Sequence, residues 1–237
     1  MNKLNFGLDA PKITARLFIA AAIVLILFLL SIIVDKSYTI IKVLIFLLIF
    51  CLFIITGFLM VFSSKIFKIK NRDKIIGDLN LTGSETVLDI GCGRGLYAIG
   101  FAEKLTNGKV FGIDIWNAED ISMNAESSVM ENIRKANLEQ KIILKTEDMR
   151  HMSFDNEYFD YIIASFSIHN LANIDEIKKS LREISRVLKK NGKLIIIDFK
   201  YIKDYKNYLL NNNFKIFKES FAKGLFPIAK NLIFIKK

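Results

Sequence analysis

The sequence contains little cysteine and little histidine. Its 237 residues include two cysteines, Cys51 inside an apolar run and Cys92 inside a glycine-rich turn, so no disulfide framework is available and a reducing compartment is expected. The two histidines have no partner at metal-ligand spacing, which predicts that the chain binds no metal. The sequence also lacks internal repeats and low-complexity segments, which excludes a repeat architecture.

Positive charge is abundant, and its location along the chain indicates whether it serves nucleic-acid binding. The net charge is +10, with ten Lys or Arg against three Asp or Glu in residues 1–74 and 24 against 21 in residues 75–237. The surplus is therefore seven in the first part and three in the second. Because the excess flanks the apolar runs, the charge argues against a nucleic-acid-binding protein.

Two long apolar runs precede the rest of the chain. Leu17–Val34 has 18 residues without a charge and Val43–Phe62 has 20. As helices they would measure roughly 27 to 30 Å, the thickness of a bilayer core. A buried soluble helix seldom keeps every face apolar over this length. A cleaved signal peptide is disfavoured because Ile33-Val34-Asp35 lacks small residues at the cleavage positions. We predict two transmembrane helices.

The basic residues beside these runs predict the topology. Lys3, Lys12 and Arg16 precede the first run, and the second run is followed by Lys65, Lys68, Lys70, Arg72 and Lys74. The short turn between the runs holds Asp35, Lys36 and Lys42. The positive-inside rule then places both termini in the cytoplasm of a multi-pass cell-membrane protein. The cluster at 65–74 is either a topology signal or a site for anionic lipids.

We expect a transmembrane hairpin over residues 1–64, a basic linker over 65–74 and a catalytic domain over 75–237. From Ile75 onward, strand-like runs alternate with amphipathic stretches, which is typical of an α/β sheet. The predicted strands are Thr86–Ile90, Val110–Ile115, Ile142–Thr146, Tyr161–Ala164 and Leu194–Phe199. The predicted helices are Gly95–Leu105, Ser122–Ala136 and Asp175–Leu188.

The end of the chain follows a different pattern. Tyr205–Leu210 is predicted to be helical, and Phe214–Phe221 and Asn231–Ile235 are predicted to be strands. The connection between these strands is too short for a parallel crossover helix, so they should pair antiparallel. The predicted fold is a Rossmann-like, seven-stranded, mostly parallel sheet with a C-terminal antiparallel hairpin, preceded by the two transmembrane helices.

A glycine turn follows the first predicted strand, in the run V87-L-D-I-G-C-G-R-G95. The ligand crevice of an open parallel sheet lies beyond the carboxyl ends of its strands, where this turn is placed. A carboxylate at Asp89 would repel a pyrophosphate but attract the ammonium group of an amino acid. Asp114 comes 19 residues after Gly95 and could accept ribose hydroxyls from either kind of cofactor.

The region from Ile75 to Lys237 resembles the class I S-adenosylmethionine-dependent methyltransferases. The matching segments are V87–G95, V110-F-G-I-D-I115, E147-D148, F159-D-Y-I-I163 and L181-R-E-I-S-R-V-L-K-K-N-G-K-L-I-I-I-D198. The resemblance includes a bacterial subset with apolar helices ahead of the catalytic domain, through D114-I-W-N-A-E-D-I-S-M-N124. At Asn191-Gly192 many relatives have Pro-Gly, which changes only the stiffness of the turn.

The resemblance implies S-adenosylmethionine as the cofactor. Asp89 and the turn around Gly91 would then hold its methionine end, Asp114 its ribose hydroxyls and Asp148 its adenine amino group. The positions implied as cofactor contacts are Asp89, Gly91, Cys92, Gly93, Gly95, Asp114, Ile115, Trp116, Asp148, Met149, Ser165 and Phe166. Trp116 either covers the adenine face or packs structurally, and Tyr97 either touches the cofactor carboxylate or packs.

Methyl transfer from a sulfonium is a one-step displacement, so positioning can supply most of the catalysis and a base is optional. His169, which follows the fourth strand, is a candidate base, with a loop-stabilising histidine as the alternative. Asp198, at the end of the fifth strand, is a second catalytic candidate. Arg150 and His151 either border the pocket or belong to a surface loop.

The expected function is methyl transfer to a small apolar or lipid-like acceptor at the membrane surface. Quinone precursors, amine lipid headgroups and hydrophobic thiols or phenols are not distinguished by the sequence. The segment Ser165-Phe-Ser-Ile168 differs from the Asn-Pro-Pro-Tyr motif of adenine-N6 and glutamine methylation. The alternatives are a membrane-anchored module that binds S-adenosylmethionine without catalysis and a nicotinamide-dependent oxidoreductase. The oligomeric state is not predicted.

Overall fold

A computed structural model describes residues 4–34, 40–117, 121–122 and 124–237. Lys3, Asp35 and Lys36 of the predicted membrane topology lie outside these residues, as do positions 118–120 and 123 of the segment after Asp114. The helices are α1 Pro11–Val34, α2 Ile40–Phe62, α3 Lys68–Gly77, α4 Leu96–Ala102, α5 Glu126–Lys135, α6 Ile174–Val187 and α7 Ile202–Leu210. A π-helical segment Ser63–Phe67 joins α2 to α3, and a 3₁₀ turn covers Ile168–Asn170.

Seven strands form one sheet. Their bounds are β1 Thr86–Ile90, β2 Lys109–Asp114, β3 Ile142–Thr146, β4 Phe159–Ser165, β5 Leu188–Asp198, β6 Phe214–Ala222 and β7 Ala229–Lys236. The order across the sheet is β3-β2-β1-β4-β5-β7-β6, with β7 antiparallel to both β5 and β6. This confirms the predicted α/β fold and its antiparallel C-terminal hairpin. The order reverses between β1 and β4, so the ligand crevice is expected there.

Helices cover both faces of the sheet because its central strands are apolar on both sides. One buried cluster joins α3, α4 and α5 to the sheet, and a second joins α6 and α7 to the opposite face. In α6, Ile177, Leu181 and Ile184 recur at helical spacing and are fully buried. Asn173 caps this helix, since its side chain accepts hydrogen bonds from the backbone N–H groups of Asp175 and Glu176.

Several elements differ in extent from their predictions. Strand β2 ends at Asp114, so Ile115 lies just beyond it, and α5 begins at Glu126 instead of Ser122. Strand β5 begins at Leu188, which pairs with Phe159, and the ladder resumes at Lys193 after an irregularity. Asn191, with φ of 63°, lies in this irregularity, where the sequence predicted a turn.

The basic segment 65–74 is helical and belongs partly to the folded core. It was predicted to be a linker, but Lys68, Asn71 and Arg72 are buried and Ile75 packs into the cluster beneath α4. Lys68 is stabilised there because its ammonium lies 3.0 Å from the Asp9 carboxylate and 3.1 Å from the Phe6 carbonyl. The ordered contacts of the domain therefore begin before Ile75.

The two long helices pair with each other and remain apolar on their outer surfaces. Phe18 and Phe58 meet edge to face at 5.5 Å, and Gly57 lies directly against the Phe18 ring. Side chains such as Ile33 and Ile40 are 73% and 79% exposed. By length and composition, the helices at Pro11–Ile33 and Ile40–Gly77 could cross a membrane. The second runs without a break from its apolar part into α3.

Candidate active site

The glycine turn is fixed to the neighbouring strand. The backbone N–H groups of Gly91 and Cys92 both donate to the carbonyl of Ile113 in β2, at 2.8 and 3.0 Å. Gly95 adopts a left-handed conformation with φ of 81° and begins α4, a conformation that other residues adopt at a cost. Cys92 is buried, and burial raises the pKa of its thiol, so it is not a reactive nucleophile.

Asp89 is a buried carboxylate without a cationic partner among the described residues. It is 2% exposed, and its Oδ2 accepts a hydrogen bond of 2.8 Å from the backbone N–H of Ala98. Burial raises the pKa of this carboxyl to about 7, repulsion from Asp114 adds to the effect, and the Ala98 hydrogen bond opposes it. A ligand with a positive group would stabilise the ionised form, so the position suits the ammonium of an amino acid.

Asp114 lies at the end of β2 and organises the next part of the site. Its Oδ2 accepts from the backbone N–H of Gly93 at 2.8 Å, and its Oδ1 accepts from that of Trp116 at 2.7 Å. Oδ1 also accepts from the side-chain amide of Asn124 at 3.4 Å, so Oδ2 is the oxygen that retains a lone pair for a further donor. The Trp116 indole N–H donates to the Thr146 hydroxyl at 2.8 Å, which fixes the ring near β3. Ile115 is 64% exposed.

Asp148 follows β3 and is held by an arginine. Arg150 donates to both of its carboxylate oxygens and also lies 2.6 Å from Glu176. The Arg150 guanidinium keeps the pKa of the Asp148 carboxyl below its usual range, so this acceptor stays ionised. Met149 is half-buried beside it, whereas His151 is exposed. Arg150 is thus a partner of a predicted cofactor residue, and His151 lies on the surface.

Three buried polar atoms around the turn have no hydrogen-bond partner in the described chain. They are Nε of Arg94 within the turn, Oδ1 of Asn124, which lies near Gly93, and the hydroxyl of Ser167, which lies near Gly91. Buried polar atoms are normally satisfied, so the last two, which lie beside glycines of the turn, are available to a ligand. With Asp89 and Asp114 they form a donor and acceptor set that fits a nucleoside joined to an amino acid.

The residues predicted for the acceptor side gather beyond β4 and β5. Ser165 ends β4, and the Phe166 ring lies 6.4 Å from the His169 ring and 6.2 Å from that of Phe199. Nδ1 of His169 lies 2.8 Å from Oδ1 of Asp198, without the alignment of a hydrogen bond. The site thus brings His169 and Asp198 together.

Three neighbours of this site were missed or left open by the sequence. Tyr205 donates from its hydroxyl to Asp198 at 3.0 Å, and the Phe199 ring lies 4.7 Å from His169. Tyr97 is buried, interacts with Ser165 and has a raised pKa because of burial. None carries a local sequence signal, since each is positioned by packing between elements.

The N-terminal segment 4–9 also borders the site. Asn5 and the side chain of Asn132 exchange hydrogen bonds of 2.9 and 3.1 Å. The backbone of Leu8 pairs with Ser122, and Phe6 is buried in the cluster that contains α3 and α4. The segment ahead of α1 is therefore attached to the loop that follows Asp114.

Known proteins resemble this chain over the same region. A family model described as a methyltransferase domain matches residues 88–196. A demethylmenaquinone methyltransferase from Lactobacillus johnsonii is 30% identical over 128 residues, which is 54% of this chain and 49% of that protein. A 2-phytyl-1,4-naphtoquinone methyltransferase from Nostoc punctiforme is 32% identical over 115 residues, 48% of this chain and 46% of that protein. The chain thus spans about half the length of the relatives it matches.

The fold also occurs in solved structures. Magnesium protoporphyrin IX methyltransferase from Synechocystis PCC 6803, with bound SAM, superposes with a TM-score of 0.62 at 18% identity, over 76% of this chain and 84% of that one. At this identity the likeness concerns the fold alone. Residues 88–196, which include the acidic residues around the glycine turn, thus resemble a methyltransferase domain in sequence, and the solved structure resembles the chain in fold.

Proposed function

We propose that the protein is a membrane-anchored S-adenosylmethionine-dependent methyltransferase whose acceptor is a small apolar molecule of the quinone or phenol class. The observation that supports the cofactor is Asp89, a carboxylate near the end of β1 that is buried without a cationic partner among the described residues. It would hold the cofactor ammonium, Asp114 the ribose hydroxyls and Asp148 the adenine amino group. The bound cofactor supplies a methyl group carried on a sulfonium.

The residues beyond β4 and β5 favour a planar apolar acceptor. Phe166, His169 and Phe199 present three rings within 4.7 to 6.4 Å of one another. Aromatic pairs at such spacings pack well against a further ring. The relatives named as demethylmenaquinone and phytyl-naphtoquinone methyltransferases support the same acceptor class.

His169 is proposed as the base that accepts a proton from an acceptor hydroxyl. Asp198, 2.8 Å from its Nδ1, would orient the imidazole toward the acceptor. A hydroxyl that loses its proton becomes a phenolate, which is a stronger nucleophile at oxygen and at the ring carbon beside it. A small rotation of the imidazole would align its N–H with the carboxylate, since such hydrogen bonds often tighten only with substrate bound.

The two apolar helices supply the membrane part of the proposal. Each is long enough to cross a bilayer. The basic residues that precede the first helix and follow the apolar part of the second favour cytoplasmic termini. The domain would then face the inner leaflet, where apolar acceptors concentrate.

The test uses the purified full chain in detergent with radiolabelled S-adenosylmethionine. A demethylated menaquinol and phosphatidylethanolamine serve as separate acceptors, and we expect label only in the quinol product. Asp89→Asn should abolish labelling, whereas Asp155→Asn, which alters an exposed aspartate, should not. Label in phosphatidylethanolamine would replace the quinone class by an amine headgroup.

Two other results would overturn the proposal. Tight binding of S-adenosylhomocysteine without turnover of any acceptor, unaffected by His169→Ala, would favour a non-catalytic binding module. Thermal stabilisation by NAD but not by S-adenosylhomocysteine would favour an oxidoreductase. A buried carboxylate at position 89 argues against the latter because it would repel a pyrophosphate.

A further inference from the structure

The turn between β6 and β7 packs against the end of the second apolar helix. We call residues 221–228, which comprise this turn and the last two residues of β6, the hairpin tip. The backbone N–H of Phe226 donates to the Ser63 hydroxyl at 2.9 Å, and Gly224 lies so close to the Phe67 ring that a Cβ would be 2.3 Å from it. Because the helix from Ile40 to Gly77 is continuous, these contacts fix the tip at the level where the apolar part ends.

Large apolar side chains beside these contacts are uncovered. Ile228 is 73% exposed, more than any other large apolar residue of the described chain outside α1 and α2. Phe221, at the end of β6, is 62% exposed. On the adjacent helix, Phe62 and Ile66 are 48% and 38% exposed. An apolar patch that continues from the end of an apolar helix marks an interaction surface.

The charges around this patch favour a lipid surface over a protein partner. Residues 222–229 contain no acidic residue, and Lys223 is exposed within the tip. Lys65 and Lys70 are exposed on the adjacent helical segment. Exposed apolar side chains flanked by lysines are typical of segments that lie in the interfacial layer of an anionic membrane.

We propose that the hairpin tip is a third membrane contact, with Ile228 and Phe221 inserted into the interfacial layer of the bilayer and Lys223 among anionic headgroups. The inference rests on the membrane anchoring in the proposed function. It adds a contact from the domain itself, far along the chain from the apolar helices. The partner is the phospholipid bilayer.

The position of the tip has a consequence for the acceptor. Lys230 pairs directly with Asp198 in the sheet, two residues from Ile228. At about 3.3 Å per residue along a strand and about 5 Å between strands, the backbone at Ile228 lies roughly 8 Å from that at Asp198. The tip would thus hold the acceptor side, including His169, against the interface. A long-chain acceptor could reach the site while its tail stays in the bilayer.

The test places a single tryptophan at chosen positions and measures its contact with lipid. Trp116→Phe removes the single native tryptophan, and Ile228→Trp and Phe221→Trp are made separately in that background. The full chain is reconstituted in an equal mixture of phosphatidylcholine and phosphatidylglycerol with brominated acyl chains. We expect about a twofold loss of fluorescence for both variants relative to unbrominated vesicles, because interfacial side chains reach the acyl boundary.

The matched control is Phe217→Trp, another exposed aromatic position on β6, which is 51% exposed and lies four residues before Phe221. It should not be quenched. Leu48→Trp, within α2, is the positive control for membrane insertion. If Leu48→Trp is quenched but neither tip variant is, the inference is wrong and the anchoring stands. If Leu48→Trp is not quenched, the anchoring itself fails, and the inference with it.

Quenching by iodide in the aqueous phase distinguishes the other environments in which the hairpin tip could lie. A tryptophan at position 228 that is protected from both bromine and iodide would indicate that protein, such as a second copy of the chain, covers the tip. A tryptophan open to iodide alone would indicate a water-exposed tip. Either result would overturn the assignment. Methyl transfer is not measured, so the outcome does not depend on the identity of the acceptor.

Discussion

Tyr205 donates a hydrogen bond of 3.0 Å from its hydroxyl to Oδ2 of Asp198, and the two residues are 0% and 1% exposed. The other carboxylate oxygen accepts the backbone N–H of Phe199 at 2.8 Å and lies 2.8 Å from Nδ1 of His169. Hydrogen bonds to both of its oxygens therefore fix the Asp198 carboxylate beside the imidazole. Tyr205 acts through Asp198, which makes it a positioning residue in the proposed site.

Removing this hydroxyl should slow turnover and leave cofactor binding intact. A hydrogen bond to a charged group contributes about 1.5 to 3 kcal/mol, so we expect Tyr205→Phe to lower kcat by roughly tenfold or more. KM for the cofactor should not change, because Tyr205 lies on the acceptor side. Steady-state kinetics with a demethylated menaquinol would measure both parameters.

The control for this variant is Tyr208→Phe on the same helix. Tyr208 is partly exposed and is not hydrogen-bonded to Asp198 in the described structure. It should retain normal kcat. Equal losses in both variants, or a rise in cofactor KM with unchanged kcat, would contradict a positioning role for Tyr205.

Asp89 should reduce the stability of the cofactor-free protein at neutral and alkaline pH. Its folded pKa of about 7 exceeds the value near 3.9 that is expected in an unfolded chain. Stability from this group is thus complete below about pH 4 and is lost as the pH rises through about 7. Asp89→Asn cannot ionise, so it should stabilise the protein at pH 8 by roughly 1 to 3 kcal/mol while abolishing cofactor binding.

Thermal unfolding of the full chain in detergent measures this effect. The melting temperature of Asp89→Asn should exceed that of the wild type at pH 8, and the difference should shrink at pH 5. A difference that does not vary with pH would mean that ionisation of Asp89 is not its cause.

Cofactor affinity should depend on pH for the same reason. The ammonium of S-adenosylhomocysteine needs an ionised Asp89, which is mostly protonated below about pH 7 in the free protein. The affinity should therefore fall up to about tenfold per pH unit below that value, with release of a proton on binding. Calorimetry in buffers of different ionisation enthalpy detects that proton. Methylthioadenosine, which lacks the amino-acid end, should bind without this dependence.

Asp148 should make the protein bind a ligand that contains adenine more tightly than one that contains hypoxanthine. Its carboxylate is kept ionised by Arg150, so it can accept a hydrogen bond from the adenine amino group. The wild type should bind S-adenosylhomocysteine about tenfold more tightly than S-inosylhomocysteine, and Asp148→Asn should lose most of this preference. Glu147→Gln is the neighbouring control, since Glu147 pairs with Ser153 and Lys145 instead. An unchanged preference in Asp148→Asn would place the adenine elsewhere.

Local pattern was sufficient to predict most of the fold. The bounds of β1 and β3 agree with the prediction because each strand is short and bordered by polar or turn residues. The start of α5 and the extent of β5 were less predictable, since long-range pairing such as that of Leu188 with Phe159 sets them. The helical nature of 65–74 was missed because its lysines indicate a solvated segment, whereas Lys68 is buried against Asp9.

The positions of the proposed site residues could be predicted where they follow from order along the chain, and not where they depend on packing. Asp89 and Asp114 could be placed beside the turn because Asp89 is the residue before the end of β1 and Asp114 ends β2. The contact of Tyr205 with Asp198 joins residues seven positions apart, and the contact of Asn5 with Asn132 joins residues 127 positions apart. No local pattern connects either pair. The hairpin tip was also hidden, because its contact with Ser63 joins residues 163 positions apart.

Gly91 should tolerate no side chain, in contrast to Gly77. Gly91 has φ of 66°, and a Cβ there would lie 2.4 Å from the Cβ of Ser167, in the loop that follows β4. Gly77 ends α3, and no atom of the described residues lies within 4 Å of the equivalent position. Gly91→Ala combines backbone strain with a clash between two loops, each costing about 1 to 3 kcal/mol, so it should lower the melting temperature and cofactor affinity together. Gly77→Ala should be neutral or stabilise by up to about 1 kcal/mol, because alanine favours the helix. Melting curves and S-adenosylhomocysteine titrations of both variants would test the pair. Normal affinity in Gly91→Ala would show that contact between the glycine turn and Ser167 is not needed to shape the cofactor site.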